Sequence, residues 1–205
     1  MSKQEHFSDH GKQIKIDAAI DRLIACYDTG GKLMICGNGG SAADCEHIVG
    51  ELMKGFCLPR SLSSADRDHL ATTCGEDGGF LGKKLQYGLP ALSLVSHSSL
   101  ITAIANDLDT DIIFAQQIWG ISKTGDILLA ISTSGNSRNV IMAAKVARAK
   151  QITVIGLTGE GGGLLASHCD VLIDVPSDDV ACIQEMHLPI YHKICQSIEA
   201  HYFGS

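Results

Sequence analysis

The chain has 205 residues, of which 45% are hydrophobic and 19% charged, and its formal net charge is −7. This composition predicts one globular domain, 1–205, and excludes an intrinsically disordered chain. The 16 lysines and arginines form no basic cluster, and no apolar stretch approaches the roughly 20 residues of a membrane helix, so we expect neither a nucleic-acid partner nor a membrane.

The first part of the chain predicts a helix, a strand and a second helix. Apolar residues at helical spacing predict the first helix over 5–28, and its polar start lacks the apolar core of a signal peptide, which favours a cytoplasmic protein. The apolar run 32–36 predicts a strand, and 41–56 predicts a helix that Ser41 caps. Periodicity fades over 56–90, which predicts a long insertion loop.

The rest of the chain alternates predicted strands and helices. The predicted strands are 91–96, 125–132, 152–158 and 170–176, and the predicted helices are 98–106, 111–122, 137–150, 161–167 and 179–203. Short, continuously apolar strands between helices predict an α/β fold, a three-layer αβα sandwich with a five-stranded parallel sheet of the flavodoxin or Rossmann type. In such a sheet ligands bind beyond the carboxyl ends of the strands.

A turn rich in hydroxyl groups follows the strand 125–132. It reads "STSGNS" over 132–137 and leads directly into a helix. Hydroxyl groups and free N–H groups at a helix N-terminus donate hydrogen bonds to an anion, so the turn predicts a phosphate site; an ordinary solvated turn with a serine cap is the alternative. The P-loop pattern G-x-x-x-x-G-K-[ST] is absent, which excludes that class of nucleoside triphosphate site.

A glycine-rich turn, "GNGGSA" over 37–42, follows the first strand and formally matches G-x-G-x-x-[GA]. A dinucleotide site also needs an acidic residue about 20 positions further on, and Cys57 lies there instead. We therefore expect no nucleotide cofactor. The turn is predicted to hold the remainder of a small phosphorylated ligand.

Two pairs of polar residues on helices are candidate catalytic or metal-binding residues. His47 and Glu51 share one helix face and are open to three interpretations: a solvated pair, an acid/base pair, or two ligands of a divalent metal. Gln184 and His192 lie about 12 Å apart along an ideal helix and cannot meet in one small site on a straight helix. Either Pro189 bends that helix, or the two residues serve sites made by different subunits.

These motifs together resemble the sugar isomerase (SIS) fold and, within it, the phosphoheptose isomerases. The segments "GNGGSAADCEHIVGEL", "AND", "ISTSGNS" and "IQEMHLPIYH" follow the family's order and approximate spacing. The resemblance implies an aldose–ketose isomerase that converts sedoheptulose 7-phosphate to D-glycero-D-manno-heptose 7-phosphate through an enediol. It also implies a homotetramer whose subunits share active sites.

The resemblance further implies roles for individual residues. Glu51 matches the catalytic base and His192 its partner acid, and Asp107 is expected to help position or protonate the substrate. The residues that match zinc ligands in metal-carrying members are His47, Glu51, Gln184 and His192. The residues that match substrate contacts are Asn38, Gly39, Gly40, Ser41, Asn106, Asp107, Ser132, Thr133, Ser134, Ser137 and Gln184.

The sequence departs from the family pattern in one segment, and one alternative function stays open. The common members of the family join the helix of Glu51 to the next strand by a short loop, whereas 56–90 is long enough for a lid or an interface arm. Its basic residues are expected either to reach a phosphate or to be solvated: Arg60, Arg67, Lys83 and Lys84. The alternative function is a non-catalytic SIS-domain regulator that binds a sugar phosphate or a replication initiator; retention of Glu51 and His192 favours the enzyme.

Overall fold

The computed structural model describes residues 3–204, with side chains from residue 11 onward, and its centre is a five-stranded parallel sheet. The strand order is β2-β1-β3-β4-β5. The strands are β1 (Leu33–Cys36), β2 (Ala91–Ser93), β3 (Ile127–Ser132), β4 (Thr153–Thr158) and β5 (Val171–Asp174). The predicted parallel sheet is therefore confirmed.

Helices cover both faces of the sheet. They are α1 (Lys3–Asp28), α2 (Gly40–Met53), α3 (Ser64–Thr73), α4 (Gly78–Lys84), α5 (Ser98–Asp107), α6 (Ile113–Ile121), α7 (Arg138–Ala149) and α8 (Val180–Phe203). Alternate residues of β1 enter two separate apolar clusters: Leu33 and Ile35 pack toward α1, α2 and α8, while Met34 and Cys36 pack toward α6 and α7. Because side chains alternate between the faces of a strand, a strand that is apolar throughout is buried on both sides.

The strand order places two turns side by side. Cys36 at the end of β1 pairs with Ala130 of β3, so the turns that follow these strands leave the same edge of the sheet. The order 2-1-3-4-5 reverses direction between β1 and β3, and ligands of doubly wound sheets bind at this reversal. The topology thus brings together the glycine turn and the hydroxyl turn.

The predicted loop 56–90 is largely helical, because it contains α3 and α4. Ser63 caps α3 by accepting a hydrogen bond from the Asp66 N–H at 3.1 Å. The two helices pack closely at Gly78, where an added Cβ would lie 2.3 Å from the Leu70 carbonyl oxygen. The sequence did not reveal these helices because they bury no large apolar side chain and therefore show no apolar period.

The prediction that Ser41 caps the second helix is wrong. The N-cap of α2 is Gly39, with φ 56° and ψ −121°, a conformation that favours glycine. Ser41 lies inside the first turn and is 3% exposed. Within residues 3–204 no helix combines the length and the apolar character needed to cross a bilayer.

Candidate active site

A pocket of about 290 Å³ opens at the carboxyl ends of β1 and β3. Its walls come from the glycine turn, the hydroxyl turn and the first two turns of α8. The lining residues are Asn38, Gly39, Gly40, Ser41, Ile131, Ser132, Thr133, Ser137, Val180 and Gln184. Seven of the residues predicted to contact substrate at the two turns, and Gln184, therefore meet in one place.

The glycine turn is shaped by two close approaches. A Cβ at Gly37 would lie 2.8 Å from the Ser41 carbonyl oxygen, so the turn closes tightly onto the first turn of α2. A Cβ at Gly40 would lie 2.3 Å from Gln184 Nε2. The missing side chain at Gly40 therefore lets the Gln184 amide lie directly over the start of α2.

The loop after β4 packs against the hydroxyl turn on the side away from the pocket. Gly135 has φ 64°, and a Cβ there would lie 2.0 Å from the Gly162 carbonyl oxygen. The Leu165 N–H donates to the Gly135 carbonyl at 2.9 Å. This leaves the pocket side of the turn free, where Ser132 Oγ donates to Ser137 Oγ at 3.0 Å.

The serines of this turn differ in role. Ser137 is the N-cap residue of α7, yet its side chain makes no capping hydrogen bond, so its hydroxyl is directed to the pocket. Ser134 is exposed and its Oγ accepts from the Asn136 N–H at 3.1 Å, within the turn. The structure therefore brings Ser132, Thr133 and Ser137 to the pocket, while Ser134 stabilises the turn.

A second polar cluster lies further along α2, where α2 packs beside α8. His47 Nε2 is 3.2 Å from Glu51 Oε1. The rings of His47 and His192 lie 5.1 Å apart, and Phe56 covers His192 at 5.3 Å between ring centroids. The predicted base and acid thus belong to one cluster, with His47 between them.

Three atoms of this cluster, which also includes Asp44, are buried and make no hydrogen bond: Asp44 Oδ2, Glu51 Oε2 and His192 Nε2. Lys54 Nζ is 3.7 Å from Glu51 Oε2, which is close enough for electrostatic attraction but too long for a hydrogen bond. A buried polar atom without a partner is costly. These three atoms are therefore the natural contacts for a ligand.

Asp44 and Tyr191 complete the cluster. Tyr191 is 2% exposed, and its hydroxyl lies 3.0 Å from His47 Nδ1 and 3.3 Å from Asp44 Oδ1. Burial, together with the nearby Asp44 charge, raises the pKa of Tyr191 above its ordinary value. Burial also raises the pKa of Asp44, an effect that the hydrogen bond from Tyr191 partly offsets.

A buried ion pair anchors the end of α2. Arg60 is 1% exposed and its Nε donates to Glu199 Oε1 at 2.8 Å. Its two terminal nitrogens donate to the carbonyls of Leu52, at 2.6 Å, and Glu51, at 2.9 Å. Arg60 is therefore neither a phosphate ligand nor a solvated charge, and both expectations for it were wrong; it satisfies carbonyls that the end of a helix leaves free.

Glu199 receives further hydrogen bonds from the segment that leaves α2. The backbone N–H groups of Phe56, Cys57 and Leu58 donate to its carboxylate at 2.8, 2.7 and 3.1 Å. Burial disfavours the charge of Glu199, but these bonds and Arg60 outweigh it and hold the pKa of the carboxyl below its ordinary value.

Some predicted residues lie elsewhere. Asn106 and Asp107 are exposed at the end of α5, where the Asn106 amide donates to the Asp107 carboxylate at 2.8 Å, and neither lines the pocket. α8 runs without interruption through Pro189, with Gln184 against Gly40 and His192 against His47. The four predicted zinc ligands are therefore divided between the two sites of one chain.

Sequence reasoning missed four residues of the second cluster and its anchor: Asp44, Tyr191, Arg60 and Glu199. Asp44 was within reach, because it lies three positions before His47 and so on the same face of α2. Tyr191 carried no signal beyond its place next to His192. The Arg60–Glu199 pair joins residues 139 positions apart, which no local pattern reveals.

Comparison with known proteins identifies the family of this chain. A model of the SIS domain family matches residues 4–74 and 63–159. A phosphoheptose isomerase from Desulfovibrio desulfuricans is 38% identical over 182 residues, covering 89% of this chain and 74% of that protein.

Two solved structures match nearly the whole chain. The phosphoheptose isomerase from Neisseria gonorrhoeae has a TM-score of 0.73 at 31% identity and covers 97% of this chain and 100% of that one. A phosphoheptose isomerase from Francisella tularensis has a TM-score of 0.74 at 29% identity, and the match covers 97% of this chain and 98% of that one. The sequence and the fold together show that this chain belongs to the phosphoheptose isomerases of the SIS domain family.

Proposed function

We propose that this chain isomerises sedoheptulose 7-phosphate to D-glycero-D-manno-heptose 7-phosphate through an enediol. The observation that carries the proposal is the pairing of a hydroxyl-lined pocket with the Glu51–His47–His192 cluster on the adjacent helices. The relatives support an isomerase rather than a non-catalytic regulator. A charged sugar phosphate does not cross membranes freely, so the proposed location is the cytoplasm.

The pocket supplies the phosphate site. Ser132 and Ser137 present hydroxyl groups there, and α2 and α7 both begin at the pocket. The positive ends of two helix dipoles favour a phosphate dianion, and the hydroxyl groups donate hydrogen bonds to it. The lining contains no lysine or arginine, so hydroxyls, backbone N–H groups and the helix ends carry the binding.

The cluster supplies the proton transfer. Glu51 removes a proton from C1 of the ketose and returns it to C2, and its unpaired Oε2 is the oxygen available for this step. His192, whose unpaired Nε2 is buried and whose ring lies 5.1 Å from that of His47, moves protons between O1 and O2 as the enediol forms and collapses. One carboxylate and one imidazole thus account for every proton that the reaction moves.

The arrangement of the two sites favours a shared active site in a homo-oligomer, which we propose to be a tetramer. Glu51 follows Gly40 by eleven positions, which places it about 16 Å further along α2. The pocket lining includes neither Glu51 nor His192. A neighbouring subunit that brings its cluster over the pocket would shorten the path between a bound phosphate and the proton-transfer groups.

Complementation tests the shared site. A Gly40→Leu subunit has a filled pocket, and a Glu51→Gln subunit lacks the base. When equal amounts are unfolded and refolded together, sites built between subunits regain intact halves in about a quarter of cases, and activity returns. Activity that stays absent in hybrids of confirmed mixed composition would show that each chain uses its own cluster.

Zinc, which the resemblance implies, would take His47, Glu51 and His192 as donors. Imidazole nitrogen and carboxylate oxygen are donors that zinc prefers, and Glu51 Oε2 and His192 Nε2 have no hydrogen-bond partner. Among the side chains of residues 11–204, however, no three acidic, histidine or cysteine groups already stand in a metal-binding arrangement, and Gln184 lies at the pocket. When bound, zinc would stabilise the charge of the enediolate.

Metal analysis of the purified protein tests this donor set. We expect zinc in the wild type and much less in His47→Gln, while Glu46→Gln, which changes an exposed carboxylate of the same helix, keeps the wild-type zinc content. Wild-type protein that holds no zinc after incubation with the metal would remove the proposal.

Incubation with sedoheptulose 7-phosphate, followed by product analysis, tests the reaction itself. We expect the heptose 7-phosphate from the wild type and none from Glu51→Gln, while both proteins bind the substrate with similar affinity. Glu46→Gln is the matched control, because Glu46 is an exposed carboxylate on the same helix that accepts from Ser96 and not from the proton-transfer groups. Full turnover by Glu51→Gln would exclude Glu51 as the base.

A further inference from the structure

Two asparagine side chains join the glycine turn to the first turn of α7. Nδ2 of Asn38 donates to Oδ1 of Asn139 at 2.9 Å, and Nδ2 of Asn139 donates back to Oδ1 of Asn38 at 2.9 Å. Asn38 is among the residues that line the pocket, whereas Asn139 is not. The amide pair therefore connects a pocket residue with a residue outside the pocket lining.

A backbone N–H group fixes the orientation of this pair. Val140 lies in the first turn of α7, where N–H groups have no carbonyl partner within the helix. Its N–H donates to Oδ1 of Asn139 at 2.9 Å, and an N–H can donate only to the oxygen of an amide, not to its NH₂ group. The position of the Asn139 oxygen is thus settled, and its NH₂ group must face the oxygen of Asn38.

The remaining donors and acceptors of Asn38 define what it can offer a ligand. An asparagine side chain has two N–H donors and one oxygen with two lone pairs. The pair uses one N–H and one lone pair of Asn38, so one of each remains. Phosphate oxygens are strong acceptors, and the pocket lining has no lysine or arginine, so the remaining N–H is the group that a phosphate would use.

We propose that Asn139 is a positioning residue that holds the Asn38 amide in the orientation in which its remaining N–H is offered to the phosphate. An unpaired asparagine at this exposed turn would lose side-chain freedom when the ligand binds, and the pair removes that cost beforehand. The proposal deepens the function above and rests on its phosphate site. Asn139 does not touch the ligand and acts through Asn38.

The two asparagines should differ in their effect on the affinity for inorganic phosphate, measured by calorimetry. Asn38→Ala removes a hydrogen bond to a charged group, so we expect the dissociation constant to rise about 10- to 100-fold. Asn139→Ala leaves that N–H in place and removes only its orientation, so we expect a rise of about 2- to 10-fold.

The alternative is that the pair only ties two segments together and so preserves the shape of the pocket. Either alanine variant breaks this tie, and the alternative therefore predicts equal losses of phosphate affinity for Asn38→Ala and Asn139→Ala. Equal losses would overturn the proposal, and so would an unchanged affinity in Asn139→Ala.

The two losses should not multiply. Once residue 38 is alanine, Asn139 has no amide to orient, so the double variant should bind phosphate as Asn38→Ala does. A further loss of affinity in the double variant would mean that Asn139 acts by another route, which contradicts the proposal.

Gln13→Ala is the matched control. The Gln13 amide also donates to a side-chain oxygen, that of Asp17, at 2.7 Å on an exposed face of α1. This variant should bind phosphate as the wild type does. All affinities are compared at a temperature at which circular dichroism shows every variant to be folded.

Steady-state kinetics separates this proposal from the proposed reaction. The pocket lining does not include Glu51, so Asn139→Ala should raise KM for sedoheptulose 7-phosphate about 2- to 10-fold and leave kcat unchanged. A wild type that binds phosphate without turnover would refute the reaction alone, because calorimetry still decides the role of Asn139. A wild type that binds no phosphate would overturn this proposal together with the phosphate site.

Discussion

The buried Arg60–Glu199 ion pair anchors the end of the helix that carries Glu51, and we expect its disruption to lower the free energy of unfolding of the protein. Glu199→Gln preserves the shape of the side chain but removes its charge. The guanidinium of Arg60, 1% exposed, then stays buried without a counter-ion, and the amide NH₂ of the new side chain faces backbone donors where the carboxylate had accepted.

Breaking a buried ion pair by removing one partner costs about 3–5 kcal/mol, and we expect the free energy of unfolding of Glu199→Gln to fall by this amount. Since native domains are stable by roughly 5–15 kcal/mol, the loss is a large fraction of the total. Adding Arg60→Met removes the stranded charge, so the double variant should be less destabilised than the two single losses together, by about 0.5–3 kcal/mol.

Urea unfolding followed by circular dichroism at one fixed protein concentration measures these values, because oligomerisation would otherwise shift the apparent stability. Asp174→Asn is the control: its partner Lys15 is 44% exposed, and exposed pairs contribute about 0.2–1 kcal/mol. A loss of less than about 1 kcal/mol in Glu199→Gln would mean that the buried pair is no stronger than a surface pair, and the reasoning would fail.

The pH dependence has a definite sign. The pKa of Glu199 is lowered in the folded protein, so its contribution is present above the unfolded value near 4.5 and is lost as the pH falls through the folded value. The difference in stability between the wild type and Glu199→Gln should therefore be constant near neutral pH and shrink below pH 4.5. A difference that grows on acidification would contradict the assigned direction.

Two further predictions concern the pocket, and a third concerns the N-cap of α3 as their contrast. Gly135→Ala should weaken binding of inorganic phosphate in calorimetry, because its Cβ would collide with the Gly162 carbonyl, whereas Gly120→Ala, with open space at its Cβ, should bind normally. Ser137→Ala should lower phosphate affinity without lowering the melting temperature, since its hydroxyl does not cap α7; an equal loss of stability would contradict this. Ser63→Ala should have the opposite effect. The free energy of unfolding should fall by about 1 kcal/mol because the N-cap of α3 is lost, while phosphate affinity stays unchanged.

The sheet and the two turns could be predicted from the sequence, and the reasons are physical. Strands buried on both faces are apolar throughout, so 127–132 and 153–158 stand out without any knowledge of their partners. Parallel strands then place their carboxyl ends at one edge, which brings the turns together whatever the details of the register. The contact between His47 and Glu51 follows equally from a spacing of four on one helix.

The parts that sequence reasoning could not supply depend on distant contacts. Arg60 looked like a surface charge because nothing near it in the sequence is acidic, yet Glu199 reaches it from the last helix. The helices α3 and α4 escaped detection because they pack mainly on each other through Gly78 and Gly82, which carry no apolar signal. Tyr191 carried no signal of its own in the sequence; it is buried like a core residue, and only the structure places its hydroxyl beside His47 and Asp44.

The close succession of a glycine turn, a histidine and a glutamate follows from the tasks of α2. Its first residue, Gly40, must lie under Gln184, and the φ of 56° at Gly39 favours glycine, so the two glycines shape the turn at the proposed phosphate site. The face of α2 that packs against α8 must meet it about one, two and three turns later, which places Asp44, His47 and Glu51 at positions three and four apart. A single rigid helix thus fixes the distance between the pocket and the Glu51 cluster within one chain. An insertion within 42–50 would separate the two functions by rotating Glu51 away from α8, and it should abolish turnover while leaving phosphate binding intact.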